Sequence, residues 1–252
     1  MVTAATAAPS QREPELHGQT VVVIGGSSGM GLETARRARG EGANVILTGR
    51  QPEALRRAAL EVDALSTAAF DAGDPVALER FFAGLPMQID HVMVTAGRPH
   101  YGRLLEMKSD ELRQALGDRI LLATEVARNA ADKMRPGGTL LFISATEGAH
   151  PSVGTGSVAT VAAALPELVA SLALEIAPVR ANLIEAGFID TPLSASLLGA
   201  DIEKRRDQLR ATLPIGRVVE PADVAALAVH IMTNTALTGA TYTIDGGQQL
   251  VE

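Results

Sequence analysis

Two sets of residues in this chain have types and spacings that do chemistry. The first is Gly25, Ser27, Ser28, Gly29, Met30 and Gly31, within residues 21–31, VVVIGGSSGMG. Glycines at this spacing let the main chain turn tightly against a ligand, and hydroxyls and free N–H groups at a helix start attract an anion. The chemistry is capture of a phosphate or pyrophosphate. The second set is a group of polar side chains expected around strand ends: Arg98, His100 and Tyr101, then Ser144, Thr146, Glu147 and His150, then Glu185, with Arg119 on a helix. Such groups move protons or stabilise an oxyanion. Tyr101 is a candidate proton donor, Ser144 a candidate to polarise a substrate oxygen, and Arg119 a candidate oxyanion partner. Each has an ordinary alternative: a loop Tyr packing on a neighbour, a strand-end Ser bonded to backbone, an Arg paired with Glu111 or Asp118. Loop histidines are commonly solvated. No His, Asp and Glu spacing suggests a metal site.

The elements that must position these residues are legible from apolar runs. Four branched apolar residues enter the glycine turn and a helical pattern leaves it at Leu32, which reads as strand, turn, helix. An unbroken Val/Ile run suits a parallel strand buried on both faces. Further strands are expected at 44–48, 66–70, 89–94, 139–144, 180–185 and 240–244. Helices are expected at 53–61, 74–83, 109–134, 156–177, near 193–212 and at 221–233. The 109–134 helix carries Leu112, Leu116, Ile120, Ala123, Ala127, Ala130 and Met134 at spacings of three and four, one buried stripe, with Ser109 as its N-cap. Pro166 inside 156–177 predicts either a kink or a regular helix that begins only near Pro166. Strands alternating with helices predict a single-domain α/β fold, a Rossmann-like doubly wound sheet of about seven parallel strands with helices on both faces. Ligands then sit at the strand C-termini.

Length and composition agree with that. The 252 residues suit one large domain, and 46% are apolar. A net charge of −7 argues against nucleic acid or an anionic membrane as partner. With no Cys, disulfide and thiolate chemistry are excluded. No apolar run is expected to approach the ~20 residues that cross a bilayer. Residues 1–17 read as a disordered Ala/Pro-containing tail with no signal-peptide pattern, which leaves 18–252 as the domain and a cytoplasmic location as the expectation. At the end of the second strand, where a dinucleotide-binding unit often places an acid for the ribose, stand Gly49 and Arg50. A forked guanidinium there suits a 2′-phosphate, which favours NADP(H) over NAD(H).

Residues 17–249 resemble the short-chain dehydrogenase/reductase family. Residues 24–31 look like its TGxxxGxG turn, with Ile24 in place of Thr. Asp71, followed by Ala72, matches the acid that meets the adenine amine. Val94, Thr95, Ala96 and Gly97 match its NNAG segment with both Asn replaced. Residues 182–191, NLIEAGFIDT, resemble N-x-I-x-PG-x-x-x-T with Ala186 for Pro, so Ile189 and Thr191 are expected at the nicotinamide carboxamide. The segment from Gly216-Arg217 to Asp245-Gly246-Gly247 resembles the C-terminal region of dimeric and tetrameric members, which implies a homodimer or homotetramer.

The resemblance fails at the family's Tyr-x-x-x-Lys and its earlier Ser. The two tyrosines, Tyr101 and Tyr242, are followed four residues on by Leu105 and Gly246. Aligned through the flanking motifs, the Ser, Tyr and Lys places fall on Ala145, Val158 and Ala162, and the helix Asn falls near Arg119. Three functions follow as expectations. One is an NADP(H)-dependent oxidoreductase acting on a small carbonyl, enone or imine with a non-standard proton donor. Another is a non-redox isomerase, cyclase or lyase. The third is an inactive NADP(H)-binding partner subunit.

Overall fold

The computed structural model describes residues 15–86, 88–146 and 152–251. Its strands are β1 (Thr20–Ile24), β2 (Asn44–Gly49), β3 (Ser66–Ala69), β4 (Ile89–Val94), β5 (Met134–Ala145), β6 (Arg180–Ala186) and β7 (Thr241–Ile244). All pair in parallel, in the order β3-β2-β1-β4-β5-β6-β7. The helices are α1 (Gly29–Gly40), α2 (Pro52–Val62), α3 (Pro75–Ala83), α4 (Ser109–Ala130), α5 (Gly156–Glu175), α6 (Pro192–Leu198), α7 (Ile202–Thr212) and α8 (Pro221–Thr233). The doubly wound fold expected from the sequence is the fold observed.

The continuous apolar strands feed two cores because successive side chains point to opposite faces. Val22, Ile24, Val92, Val94, Leu140, Phe142 and Leu183 pack with α3, α4 and α5. Val21, Val23, Val45, Leu47, Met93, Leu141 and Ile184 pack with α1, α2 and α8. Each such side chain contributes roughly 1.5–3 kcal/mol of burial. The sheet's crossover between β1 and β4 opens a crevice at the strand C-termini, where the glycine turn lies.

Five local expectations need correction. Leu16, assigned to the tail, is fully buried, and its N–H donates to Glu41 O at 3.0 Å, so residues 15–17 belong to the domain. Residues 1–14 lie outside the described residues. Helix α4 ends at Ala130, and Met134 opens β5 instead. Of its stripe, Ala123, Ala127, Ala130 and Met134 are buried as expected, while Leu112, Leu116 and Ile120 are only half-buried and Ala115, Leu122 and Val126 are buried instead. Lys108, not Ser109, is the N-cap of α4, its N–H donating to the Glu111 carboxylate at 3.0 Å. The 193–212 helix is broken into α6 and α7 by a single turn over Gly199–Asp201.

Helix α5 holds the fifth correction. It runs unbroken from Gly156 with Pro166 inside it, so a regular helix does not wait for Pro166. It is 20 residues long and holds an 18-residue window of mean hydropathy 1.7, which matches the length and composition of a membrane span, against the sequence expectation. Ala159, Val161, Ala162, Leu165 and Val169 are buried, and Val161, Leu165 and Val169 belong to the core cluster that includes the sheet residues Leu140, Phe142 and Leu183.

At the N-terminal ends of the strands, away from the crevice, Arg180 is 5% exposed and donates to five carbonyls: Gly137, Ile231, Met232, Asn234 and Leu237. It thereby closes the C-terminal end of α8, whose last carbonyls lack helical partners. His91 on β4 is also buried. Its Nε2 meets Gln19 Oε1 at 2.6 Å, while its Nδ1 has no hydrogen-bond partner among the described residues. Burial, with the nearby Arg180 charge, pushes its pKa down to about 3.

Candidate cofactor and substrate site

The turn between β1 and α1 is packed so that only glycine fits at two places. A Cβ on Gly25, at φ +96°, would lie 2.7 Å from Ala96 N and from Thr95 Oγ1. One on Gly31 would lie 2.5 Å from Gly25 O and 2.6 Å from Thr95 Oγ1. Thr95, in place of the family's Asn, holds the turn by donating its hydroxyl toward Gly25 O at 3.1 Å, and the N–H groups of Thr95 and Ala96 both reach Ile24 O. Ser28 caps α1 in an extended conformation with no side-chain capping bond, which leaves its hydroxyl beside the free N–H groups of the first turn. Gly29 and Met30 open α1, and a Cβ on Gly29 would stand 3.4 Å from Thr191, so the turn and the β6–α6 segment face each other.

The other expected cofactor residues converge on the same crevice. Ser27 backs onto Gly49, whose Cβ position would be 3.1 Å from Ser27 Oγ. Arg50 follows, exposed and without an ion pair among the described residues. Asp71 is exposed beyond β3, its Oδ1 accepting from Gly73 N at 3.0 Å, with Ala72 buried beside it. Ile189 is buried, and Ser194 Oγ donates to its carbonyl at 2.6 Å; Thr191 Oγ1 accepts from Ser194 N at 3.1 Å and so caps α6. The cradle that a Cβ would fill, the open helix terminus and the unpaired Arg50 together fit a dinucleotide with a 2′-phosphate.

A cavity of about 750 Å³ continues from Met30, Ile189 and Thr191 between the ends of β4, β5 and β6 and the α6–α7 segment. That volume suits a small organic ligand. Ser144, Tyr101 and Arg119 all line it, as do Ala145, Val158 and Ala162 at the family's Ser, Tyr and Lys places. The α5 wall is therefore apolar where the family carries its proton donor. Ser144 is 6% exposed, and its hydroxyl has no hydrogen-bond partner among the described residues. Arg119 does not pair with Asp118. Its Nη2 donates to Ile143 O, and its stem runs under Gly97. Asp118 instead meets His100, with 3.3 Å between Oδ2 and Nε2. Arg98 and Thr146 also line the cavity, whereas Glu185 does not; burial raises the Glu185 pKa. Glu147 and His150 lie outside the described residues. Among the described residues no cluster of His, Asp or Glu could hold a metal.

Sequence reasoning missed Thr95, Asp118 and the C-terminal Gln248. Thr95 was visible only as a lost Asn. Asp118 and His100 are 18 residues apart with no periodic relation. Gln248 lines the cavity and accepts from Phe188 N at 2.9 Å, a contact that depends on the chain returning beside β6.

Comparison with known proteins now adds identity to this geometry. The family model described as enoyl-(acyl carrier protein) reductase matches residues 24–249. The cyclic-di-GMP-binding biofilm dispersal mediator protein of Escherichia coli (strain K12) is 30% identical over 237 residues, covering 91% of this chain and 96% of that protein. The NADP-dependent (R)-specific alcohol dehydrogenase of Lentilactobacillus kefiri is 28% identical, covering 92% and 97%. The crystal structure of BdcA in complex with NADPH superposes with a TM-score of 0.81 at 29% identity, covering 92% of this chain and 95% of that one. On the matched motif set, the fold and these relatives, the chain belongs to the short-chain dehydrogenase/reductase family of oxidoreductases.

Proposed function

We propose that this chain is an NADP(H)-dependent oxidoreductase that acts on a small carbonyl, enone or imine with a proton donor other than the family's Tyr-Lys pair. The observation that carries the reading is the glycine cradle at Gly25 and Gly31, opening into the cavity that Met30, Ile189 and Thr191 share. NADPH, when bound, supplies a hydride. The protein's residues do the rest: the α1 N-terminus receives the pyrophosphate, Arg50 the 2′-phosphate, Asp71 the adenine amine, and Ile189 with Thr191 the carboxamide. Ser144 and Arg119 line the cavity and would supply donors to a substrate oxygen that gains charge. The NADP-dependent relative and the NADPH-bound neighbour support this cofactor.

The test is a fluorescence titration with NADPH, then an absorbance assay of NADPH oxidation across ketones, enones and imines. Saturable binding with oxidation by one class supports the reading; absence of binding refutes it.

The apolar wall at Val158 and Ala162 favours a second reading, a non-redox enzyme on the same fold. NADPH binding without oxidation by any member of the panel selects it. Exposed Leu121 on α4 and Leu174 on α5 support association into a homodimer or homotetramer.

A further inference from the structure

We propose that His100, oriented by Asp118, is the group that delivers the proton in this cavity. The inference rests on the oxidoreductase reading above. Both residues line the cavity, from different elements: His100 on the loop after β4 and Asp118 on α4, one residue before Arg119. His100 Nε2 lies 3.3 Å from Asp118 Oδ2. The carboxylate stands beside Nε2, which leaves Nδ1 as the nitrogen to exchange a proton with a ligand.

The loop that carries the imidazole is held at two points. The fully buried Ser157, in the first turn of α5, donates its hydroxyl to His100 O at 2.6 Å. Gly102 N donates to Gly154 O at 2.8 Å. The segment that leads into α5 therefore anchors a His-bearing loop, while α5 itself offers Val158 and Ala162 in place of the family's Tyr and Lys. A general acid needs reach, orientation and a way to regain its proton. The Asp118 contact supplies orientation. The 37% exposure of the His100 side chain opens it to water, from which the proton returns.

The step balances. With NADPH supplying a hydride to the carbonyl carbon, the C=O π pair would move to oxygen. The imidazolium form of His100 would give its Nδ1 proton to that oxygen, the N–H pair staying on nitrogen as the O–H bond forms. A proton from solvent would then restore the imidazolium. The charged and titratable groups around His100 among the described residues are Arg98 and Tyr101 on its own loop, Asp118 and Arg119 on α4, and Arg205 on α7; the facing stretch of α5 contributes none.

Two readouts test this. In the first, ¹⁵N-imidazole spectra of the ligand-free protein are compared with those of Asp118→Asn. The expected result is that D118N displaces the ring ¹⁵N resonances of His100, which faces the Asp118 carboxylate, while those of His17, His91 and His230 stay put. Indifference of His100 to D118N overturns the pairing and the proposal with it. In the second, His100→Gln is assayed on whichever substrate the panel finds. Expected is a loss of about 100-fold or more in kcat, the usual range for general acid–base catalysis, with NADPH affinity and Tm within experimental error of wild type. Retained kcat in H100Q overturns the donor role. A wild-type protein that oxidises NADPH with no substrate overturns the oxidoreductase reading itself, a failure told apart because it precedes any variant.

Discussion

Gly31→Ala sets two effects of opposite sign against each other. Alanine in a helix is favoured over glycine by about 1 kcal/mol, and Gly31 lies in the first turn of α1. Against this, the new methyl would stand 2.5 Å from Gly25 O and 2.6 Å from Thr95 Oγ1. The nearer obstacle is backbone, and Gly25 is pinned by its N–H bond to Thr48 O at 3.1 Å. Overpacking of this kind costs roughly 1–3 kcal/mol, so the clash outweighs the helix gain and the turn must open. A clash of about 2 kcal/mol less the helix gain of about 1 leaves about 1 kcal/mol on the cofactor-competent turn, which lowers NADPH affinity about fivefold. Gly40→Ala, at the other end of α1, is the control. Nothing lies within 4 Å of its Cβ position, so it should raise Tm slightly and leave affinity alone. The assay is NADPH fluorescence titration beside a thermal melt. A Gly31→Ala protein with wild-type affinity and stability would refute the argument that this turn is a close-packed phosphate cradle.

Other outcomes follow from the same geometry. His91 is depressed to about 3, below its unfolded value near 6.5. The unfolded state therefore binds the extra proton, and stability is full above about pH 6.5 and falls as pH drops toward 3, by up to roughly 1.4 kcal/mol per pH unit. His91→Gln should flatten that acid limb in a series of pH-dependent melts; an unchanged slope rejects the assignment. Arg180→Leu strands five carbonyls and should cost at least about 3 kcal/mol in urea unfolding, by analogy with broken buried networks. Asp223 is held below the usual carboxylate range by its two-pronged bond with Arg217, at 2.7 and 2.8 Å. NMR titration should show that depression relaxed in Arg217→Gln. Leu121→Arg or Leu174→Arg should shift the mass measured by light scattering to that of a monomer.

Much of the fold was legible because its signals are local. The unbroken Val/Ile run marks β1, and Pro52 and Pro75 stand at the first turns of α2 and α3 as such residues should. The errors have physical causes too. Met134 continues the three-and-four spacing of the 109–134 stripe, yet it opens β5, paired with Ile89 ahead of a register shift against β4. Leu16 looked like tail because its burial depends on Ala43, Val21 and Leu47, none adjacent in sequence. The glycine turn was readable as a motif, because backbone close-packing requires glycine at Gly25 and Gly31. The chemical half was readable only as an absence at Ala145, Val158 and Ala162. The His100–Asp118 contact is made by a loop and a helix that tertiary structure alone brings together.

The central claim is that this chain keeps the NADP(H) half of its family's site while its usual proton donor is gone. The most direct measurement is calorimetric titration of the wild-type protein and Arg50→Ala with NADPH and with NADH. A charge-assisted contact of the exposed Arg50 with a 2′-phosphate predicts tighter binding of NADPH than NADH, and a loss of about tenfold for NADPH alone in the variant. Equal affinities for the two nucleotides, or no binding of either, would contradict the account.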